Sequence, residues 1–529
     1  MVRPGRTVSA VNPDGWFLTA AERGNEATTV DVRAAGRTAW TTGNRVRPLV
    51  HGAPYFAELL DAIQALNPGD HLFFTDWRGD PDERLAGQGT EVATVLAEAA
   101  RRGVLVRGLL WRSHLDAVKL HERENRFFGE QIQVAGGECL LDMRVRSGGS
   151  HHQKLVVLRH RGRPDQDVAY VGGIDLCHGR KDDGDHQGDE QPCPLGAVYG
   201  RLPAWHDVQV AVQGPAVVDL ERTFRERWED PGPLTRSPYR RWRDRVLRPR
   251  GPAPCPAPLP GPAPCGTDAV QVLRTFPYRR RGYAFAPAGE RSIARAHLKA
   301  LARARRLIYL EDQYIWSPKV ISAFADALAE RPDLRLIAVL PHHPDRDSAL
   351  YNAPQLYARA EVMTLLLGAG GDRVAFYGIE NTAGTPVYVH AKVTVIDDLW
   401  CTVGSDNLNL RSWTYDSEIS CAVLEQSGAA DCVARRLRLA LFREHLDRGD
   451  ADDEGLTDAA EAFAVFARSA ARLQAWHDGG RQGPRPPGRL RPYALPRLSP
   501  VTRWWSAAAY RHLYDPDGRP PGLRRAARF

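Results

Sequence analysis

The run Val387-Tyr388-Val389-His390-Ala391-Lys392-Val393-Thr394-Val395-Ile396-Asp397 sets a histidine, a lysine and an aspartate at i, i+2 and i+7 within an apolar, strand-like stretch. In a strand, residues two apart share a face, so His390 and Lys392 point into one space. Asp397 falls where the strand gives out into Asp397-Asp398-Leu399-Trp400, a turn-like spot. Beyond it, Gly404-Ser405-Asp406-Asn407-Leu408-Asn409 is a small-residue turn rich in hydrogen-bonding groups. An imidazole beside an ammonium, facing such a turn, suits a phosphoryl group.

The pattern occurs once earlier. Ser150-His151-His152-Gln153-Lys154 leads into the apolar Leu155-Val156-Val157-Leu158, and Val171-Gly172-Gly173-Ile174-Asp175-Leu176 stands where Val403-Gly404-Ser405-Asp406-Asn407-Leu408 stands in the second copy. The flanking elements repeat too. The strand from Leu307 answers the one from His71, Asp312 falls where Asp76 fell, and Glu418 answers Asp207. One His-x-Lys triplet arises by chance; two in matching surroundings mean duplication of an α/β unit.

On these residues the chain resembles the phospholipase D superfamily, whose mark is a duplicated His-x-Lys-x4-Asp motif. The run HHQK…GGIDLCHGR is similar to that of the phosphatidylcholine-type enzymes, and the resemblance spans roughly residues 45 to 445. One departure is plain: Arg159 occupies the position of the first motif aspartate, ahead of a polar insert ending at Asp167. Asp165 or Asp167 could substitute for the missing carboxylate. The resemblance implies two phospholipase D-like lobes, each a mixed β-sheet flanked by helices, sharing one active site at a pseudo-twofold.

The expected organisation follows the composition shifts. Residues 1–44 form a leader packed on lobe 1 through Trp16-Phe17-Leu18, and 45–247 form lobe 1. A Pro-rich linker (248–266) precedes lobe 2 (267–448), and 449–529 form a helical appendage and tail. Chain length allows two to four domains, and 43% hydrophobic with 26% charged residues reads as a soluble globular protein. No run of 18 apolar residues and no signal-peptide pattern is present, which points to the cytoplasm or a peripheral membrane position. The eight cysteines show no metal spacing. The net charge of +7 fits first a solvated arginine-rich surface, and beyond that attraction to anionic lipid or nucleic acid, which charge alone does not separate. Only six residues are lysine, yet two of them follow a histidine at i+2. A compact ammonium does there what a planar guanidinium cannot.

Two facing half-sites bring His152, Lys154, His390 and Lys392 to one cleft. One imidazole attacks phosphorus to form a phosphohistidine; the other protonates the leaving alkoxide and then activates water. The lysines and the turn residues neutralise the phosphoryl oxygens, so no cofactor and no metal is expected. The resemblance makes His152 the nucleophile and His390 the general acid and base. Asn407, Ser405 and Asp175 would line the phosphate pocket, Asp207 and Glu418 would orient the imidazoles, and Asp397 would hold its strand end. His151 faces the other way. The loop Lys181-Asp182-Asp183-Gly184-Asp185-His186 reads as a cleft rim rather than a metal site. The resemblance implies hydrolysis and alcohol transfer of glycerophospholipids such as phosphatidylcholine at a membrane surface. No obligate protein partner and no nucleic acid is expected. The rival readings are a cardiolipin-synthase-like transferase or nuclease of the same superfamily, or a decayed lipid- or phosphate-binding module.

Overall fold

The computed structural model of the protein describes residues 12–31, 38–113, 122–247, 251–425 and 432–529. The first lobe holds strands β1 (Thr41–Val50), β2 (His71–Asp76), β3 (Leu105–Trp111), β4 (Glu138–Asp142), β5 (Leu155–Arg159), β6 (Val168–Gly172), the short β7 (Ala204–His206) and β8 (Val208–Gln213). The second holds β9 (Asp268–Phe276), β10 (Glu290–Arg291), β11 (Leu307–Glu311), β12 (Arg335–Val339), β13 (Val374–Glu380), β14 (Pro386–Val389), β15 (Val393–Ile396), β16 (Trp400–Gly404) and β17 (Glu418–Glu425). Lobe 1 pairs in the order β4-β3-β2-β5-β6-β8-β1, with β2, β3 and β4 parallel and the rest antiparallel. Lobe 2 repeats it as β13-β12-β11-β15-β16-β17-β9, again with one parallel trio. The equivalent edge strands β1 and β9 pair antiparallel, Thr41 opposite Val270 and Asn44 opposite Asp268, which joins the sheets around a pseudo-twofold.

The apolar runs that announced the strands are buried on both faces. Leu155 and Val157 enter a core shared by the two lobes, while Val156 and Leu158 enter the outer core of lobe 1. Val393 and Val395 enter the shared core, and Ile396 the outer core of lobe 2. Sheets covered on both sides need such unbroken runs. Helices Ala216–Trp228 and Val433–His445 fill the shared core with Phe224 and Phe442. No helix among the described residues is long and apolar enough to cross a membrane.

Two boundary expectations need correcting. The leader anchors on both lobes rather than on lobe 1 alone. Trp16, Phe17 and Leu18 join the outer core of lobe 2, where the Leu18 N–H donates to Gln271 Oε1 at 2.9 Å. In lobe 1, Thr28 donates to Glu226 at 2.9 Å and the Thr29 carbonyl accepts from Arg222 at 2.8 Å. The reason for the lobe 2 contact is apolar area, since the three side chains share one buried core with Ala269 and Leu273 of β9 and with Ile293 and Ala300 of the helix Ser292–Leu301. The C-terminal segment is more than helix. After the helix Ala459–Asp478 it contributes β18 (Leu490–Pro492), which pairs antiparallel with β13. The linker residues from 251 on have no regular structure and lie along lobe 1, where the Ala253 carbonyl accepts from Trp228 Nε1 at 2.9 Å.

Arg159 shows how lobe 1 does without a motif aspartate. In lobe 2, Asp397 accepts from the backbone N–H groups of Arg305, Arg306 and Leu307 at 2.6, 2.8 and 2.9 Å, tying its turn to the start of β11. In lobe 1 the strap runs the other way. Asp70, just before β2, accepts from the Arg161 N–H at 2.7 Å in the turn after β5. Arg159 is buried, pairs with Asp167 at 2.7 Å and with Glu221, and donates to the linker carbonyls of Leu259 and Pro260. Asp167 is therefore the counter-ion of Arg159, not a displaced motif aspartate. Arg159→Ala should lower the free energy of unfolding by about 3–5 kcal/mol, because it strands a buried carboxylate. Arg159→Asp, though it restores the motif letter, should be no better. Urea unfolding measures both, and an Arg159→Ala variant as stable as the parent would contradict the assignment.

Candidate active site

Each His-x-Lys segment is positioned by the opposite lobe. β14 runs parallel to β7, and the His390 N–H donates to the His206 carbonyl at 2.7 Å. Register then sets His390 Nδ1 at 2.7 Å from Asp207 Oδ2. In the mirrored arrangement His151 bridges in parallel to Ser417, and the His152 N–H donates to the Ser417 carbonyl at 2.9 Å. His152 Nδ1 lies 2.9 Å from Glu418 Oε2. The pairs are crossed: the lobe 1 imidazole is oriented by a lobe 2 carboxylate, and the reverse. With Nδ1 engaged, Nε2 is the nitrogen left to each ring, and no protein hydrogen bond takes it among the described residues. Both rings line one cleft of about 460 Å³ together with Asp175, Asn407 and Glu418.

The two lysines sit under this cleft in unequal settings. Lys154 Nζ donates to the His152 carbonyl at 3.0 Å and pairs with Asp175 Oδ1 at 3.3 Å. Lys392 Nζ donates to the His390 carbonyl. The turns that should supply their partners are anchored alike, Leu176 N–H on Asp76 at 3.0 Å and Leu408 N–H on Asp312 at 2.8 Å. Lobe 2, however, has neutral Asn407 where lobe 1 has Asp175. Burial pulls the Lys392 ammonium down to about 8, against the attraction of Asp207 and Asp312. Burial also drives both imidazoles well below their ordinary value, helped by the nearby lysines. It pushes the Glu418 carboxyl up to about 8, with the neighbouring Asp416 adding to the rise, and raises Asp207 as well.

Not every expected pocket residue faces the cleft. Asn407 does, and its Oδ1 has no protein partner. Ser405 does not: it is fully buried, donates to Glu418 Oε2 at 2.6 Å and accepts from the Ile419 N–H at 3.0 Å. It holds Glu418 rather than a ligand. Asp175 reaches the cleft but, as an ionised carboxylate, has no hydrogen to give a phosphoryl oxygen. It accepts from the backbone N–H groups of Trp77 and Arg78 at 3.2 and 3.4 Å and fixes Lys154. His151 is buried behind the site. The loop after the Gly172-Gly173 turn is only partly a rim, since Asp182 and His186 turn inward.

Two groups escaped the sequence reading. The Arg180 guanidinium lies 3.7 Å from the Trp205 ring centre, and Trp205 packs 4.8 Å from the His390 ring. Both line the cleft, adding a stacked cation beside His390. Arg180 was visible as the last residue of GGIDLCHGR. Trp205 could have been found only through its place two residues before Asp207.

Sequence comparison adds to this geometry. The family profile described as Phospholipase D matches residues 81–237, and the one described as Cardiolipin synthase, PLD-like domain, matches residues 298–437. The chain belongs to the phospholipase D superfamily. It is 25% identical to phospholipase D alpha 1 of Cynara cardunculus, over 73% of this chain and 63% of that one. It is also 25% identical to phospholipase D1 of Saccharomyces cerevisiae, over 75% of this chain and 28% of the other. The chain thus spans less than two thirds of these relatives. Among solved structures, the phosphatidylserine synthase of Haemophilus influenzae Rd KW20 shares the fold, with a TM-score of 0.51 at 12% identity, covering 81% of this chain and 93% of that one.

Proposed function

We propose that the protein is a phosphodiesterase that cleaves glycerophospholipids such as phosphatidylcholine to phosphatidic acid and free headgroup. The observation that carries the proposal is the crossed pair of imidazoles, each with Nδ1 on a carboxylate and Nε2 left for chemistry in one cleft. His152 Nε2 attacks phosphorus, and the bond to the headgroup oxygen breaks. His390 gives its Nε2 proton to the departing alkoxide. His390 then takes a proton from water, hydroxide attacks phosphorus, the P–N bond breaks and His152 is regenerated. An alcohol in place of water yields a transfer product. Lys154, Lys392 and Asn407 supply positive charge and a hydrogen bond to the phosphoryl oxygens, so the step at phosphorus calls for no divalent ion.

A membrane surface as the working site is supported by the cleft mouth. Leu513 and Tyr514 line it, Leu513 is 70% exposed, and Trp504 in the helix Pro500–Ala509 is 81% exposed although its neighbour Trp505 is half-buried.

Each imidazole–carboxylate pair titrates as a unit. While Glu418 holds its proton, up to about 8, the neutral His152 ring must carry its hydrogen on Nε2, so no lone pair faces phosphorus. Above that pH the carboxylate draws the hydrogen to Nδ1 and the rate rises. Lys392, pulled down to about 8, loses its charge in the same range and the rate then falls. A narrow bell centred near 8 is the expected pH–rate profile, with Glu418→Gln moving the acid limb. A flat profile from roughly 6 to 9 would count against these assignments.

The decisive experiment measures choline release from phosphatidylcholine vesicles with ethanol present. Release together with phosphatidylethanol is expected. Release without it removes the covalent intermediate. Neither product, alongside phosphatidyl transfer to glycerol or cleavage of DNA, favours the rival activities. A short-chain monomeric substrate and Trp504→Ala separate surface docking from catalysis, since only vesicle turnover should suffer.

A further inference from the structure

Directly behind the His390–Asp207 pair lies a knot of histidines that the reaction above does not use. His51 follows β1, His186 sits in the loop beyond Arg180, and His206 ends β7, all in lobe 1; Glu444 comes from the last turn of the helix Val433–His445 in lobe 2. Glu444 Oε2 is 2.7 Å from His51 Nε2, and its Oε1 is 3.1 Å from His186 Nε2 and 3.2 Å from His206 Nδ1. Ligand atoms of the four residues all lie within 4.8 Å of one another. The imidazoles are buried, with His51 3% exposed and the other two 0%.

We propose that His51, His186, His206 and Glu444 form a structural site for one tetrahedral divalent cation of the first transition row, zinc by preference. The donor set is three imidazole nitrogens and one carboxylate oxygen. In a tetrahedral zinc site neighbouring donors stand about 3.3 Å apart, close to the spacings here. The outer groups are also those of a metal site. The second nitrogen of His206 lies 2.8 Å from Glu311 Oε2, and that of His186 lies 3.5 Å from Asp182 Oδ2. Carboxylates behind ligating histidines fix their tautomers and orientation.

Charge balance points the same way. Glu311 and Glu444 pair only with histidines among the described residues. At the equivalent place behind His152 the chain does otherwise. Ser417 stands where His206 does, and the buried Asp142 is matched by Arg144 at 3.0 Å and Arg227 at 2.8 Å. Where the lobe 1 half-site backs its histidine with arginines, this place uses imidazoles. A bound cation balances the carboxylates while the rings stay neutral, which avoids burying several imidazoliums side by side. His51 also holds φ 71° and ψ 166°, a conformation strained for a non-glycine residue that here brings its ring to the cluster.

Protein side chains fill all four positions, which marks a closed structural site rather than a catalytic one. The cation would clamp three lobe 1 residues to one from lobe 2. It would also steady the floor of the cleft. The His51 N–H donates to the Asp207 carbonyl at 2.8 Å, and the His206 carbonyl accepts from His390.

The test uses the full-length chain purified without a polyhistidine tag or chelator. Elemental analysis by mass spectrometry should find about one zinc per chain. Protein stripped with dipicolinate should take up one equivalent of Zn²⁺ with a rise in melting temperature. With Co²⁺ it should give the intense visible absorption of four-coordinate cobalt. His186→Ala and Glu444→Gln should weaken uptake by roughly tenfold or more. No metal in the purified protein and no uptake by folded, stripped wild type would overturn the site, as would uptake unchanged in folded variants. The wild-type cobalt spectrum decides the matter even if a variant fails to fold. None of these readouts needs turnover, so the site stands or falls independently of the phosphodiesterase reading.

Discussion

His152→Ala should abolish turnover, lowering kcat by about 10⁴-fold or more, and should leave no phosphorylated enzyme after an acid quench. His390→Ala should be as damaging toward phosphatidylcholine, but for another reason. Choline alkoxide is a poor leaving group without a proton, whereas 4-nitrophenolate leaves unaided. With a nitrophenyl phosphodiester, His390→Ala should therefore accumulate the phosphohistidine, because attack proceeds while the water-activating base is missing. The asymmetry is the point of the test. If radiolabelled substrate instead marks His152→Ala protein and spares His390→Ala, the nucleophile is on lobe 2 and the roles exchange.

The carboxylates carry the second large effect. Asp207→Asn and Glu418→Gln should each reduce kcat by about 10²–10⁴-fold, since an amide holds the ring in either tautomer and offers no charge to a developing imidazolium. Crossing predicts which step each one damages. Asp207 serves His390 at 2.7 Å, so in Asp207→Asn a nitrophenyl leaving group should rescue the burst of phosphorylation, though not the water step that follows. Glu418 serves His152 at 2.9 Å, so Glu418→Gln should show no such rescue. If carboxylate and imidazole were instead paired within each lobe, the rescue pattern would be reversed, and leaving-group dependence reads this directly.

Much of this was legible in the chain itself. The alternating faces of β5 and β15 follow from a period of two and the duplication from repeated spacings, but the two His-x-Lys triplets, expected within strands, lie in the breaks before them. Asp207 and Glu418 could be placed because they sit at matching points of the repeat. Which imidazole each would meet was not legible, because the partners are 266 and 183 residues apart and only the His151–Ser417 bridge and the pairing of β14 with β7 decide it. Ser405 misled for a related reason. Its turn faces the cleft as a whole, but the residue's own side chain is turned back onto Glu418. The leader's destination depended on which lobe left an uncovered apolar face, and the strand β18 on a free sheet edge; neither has a local signature. Four residues as far apart as His51 and Glu444 show no motif spacing at all.

The crossed pairs bear on how such a protein is made. A chain emerging from the ribosome completes lobe 1 with His152 in place some 266 residues before Glu418, the group that orients it, exists. His390 in turn waits on docking against a lobe finished long before. Until the two halves close on each other, each of the two imidazoles is chemically an ordinary histidine. Synthesis and proteolytic nicking therefore yield fragments without an assembled pair, and the closed fold is itself the safety catch.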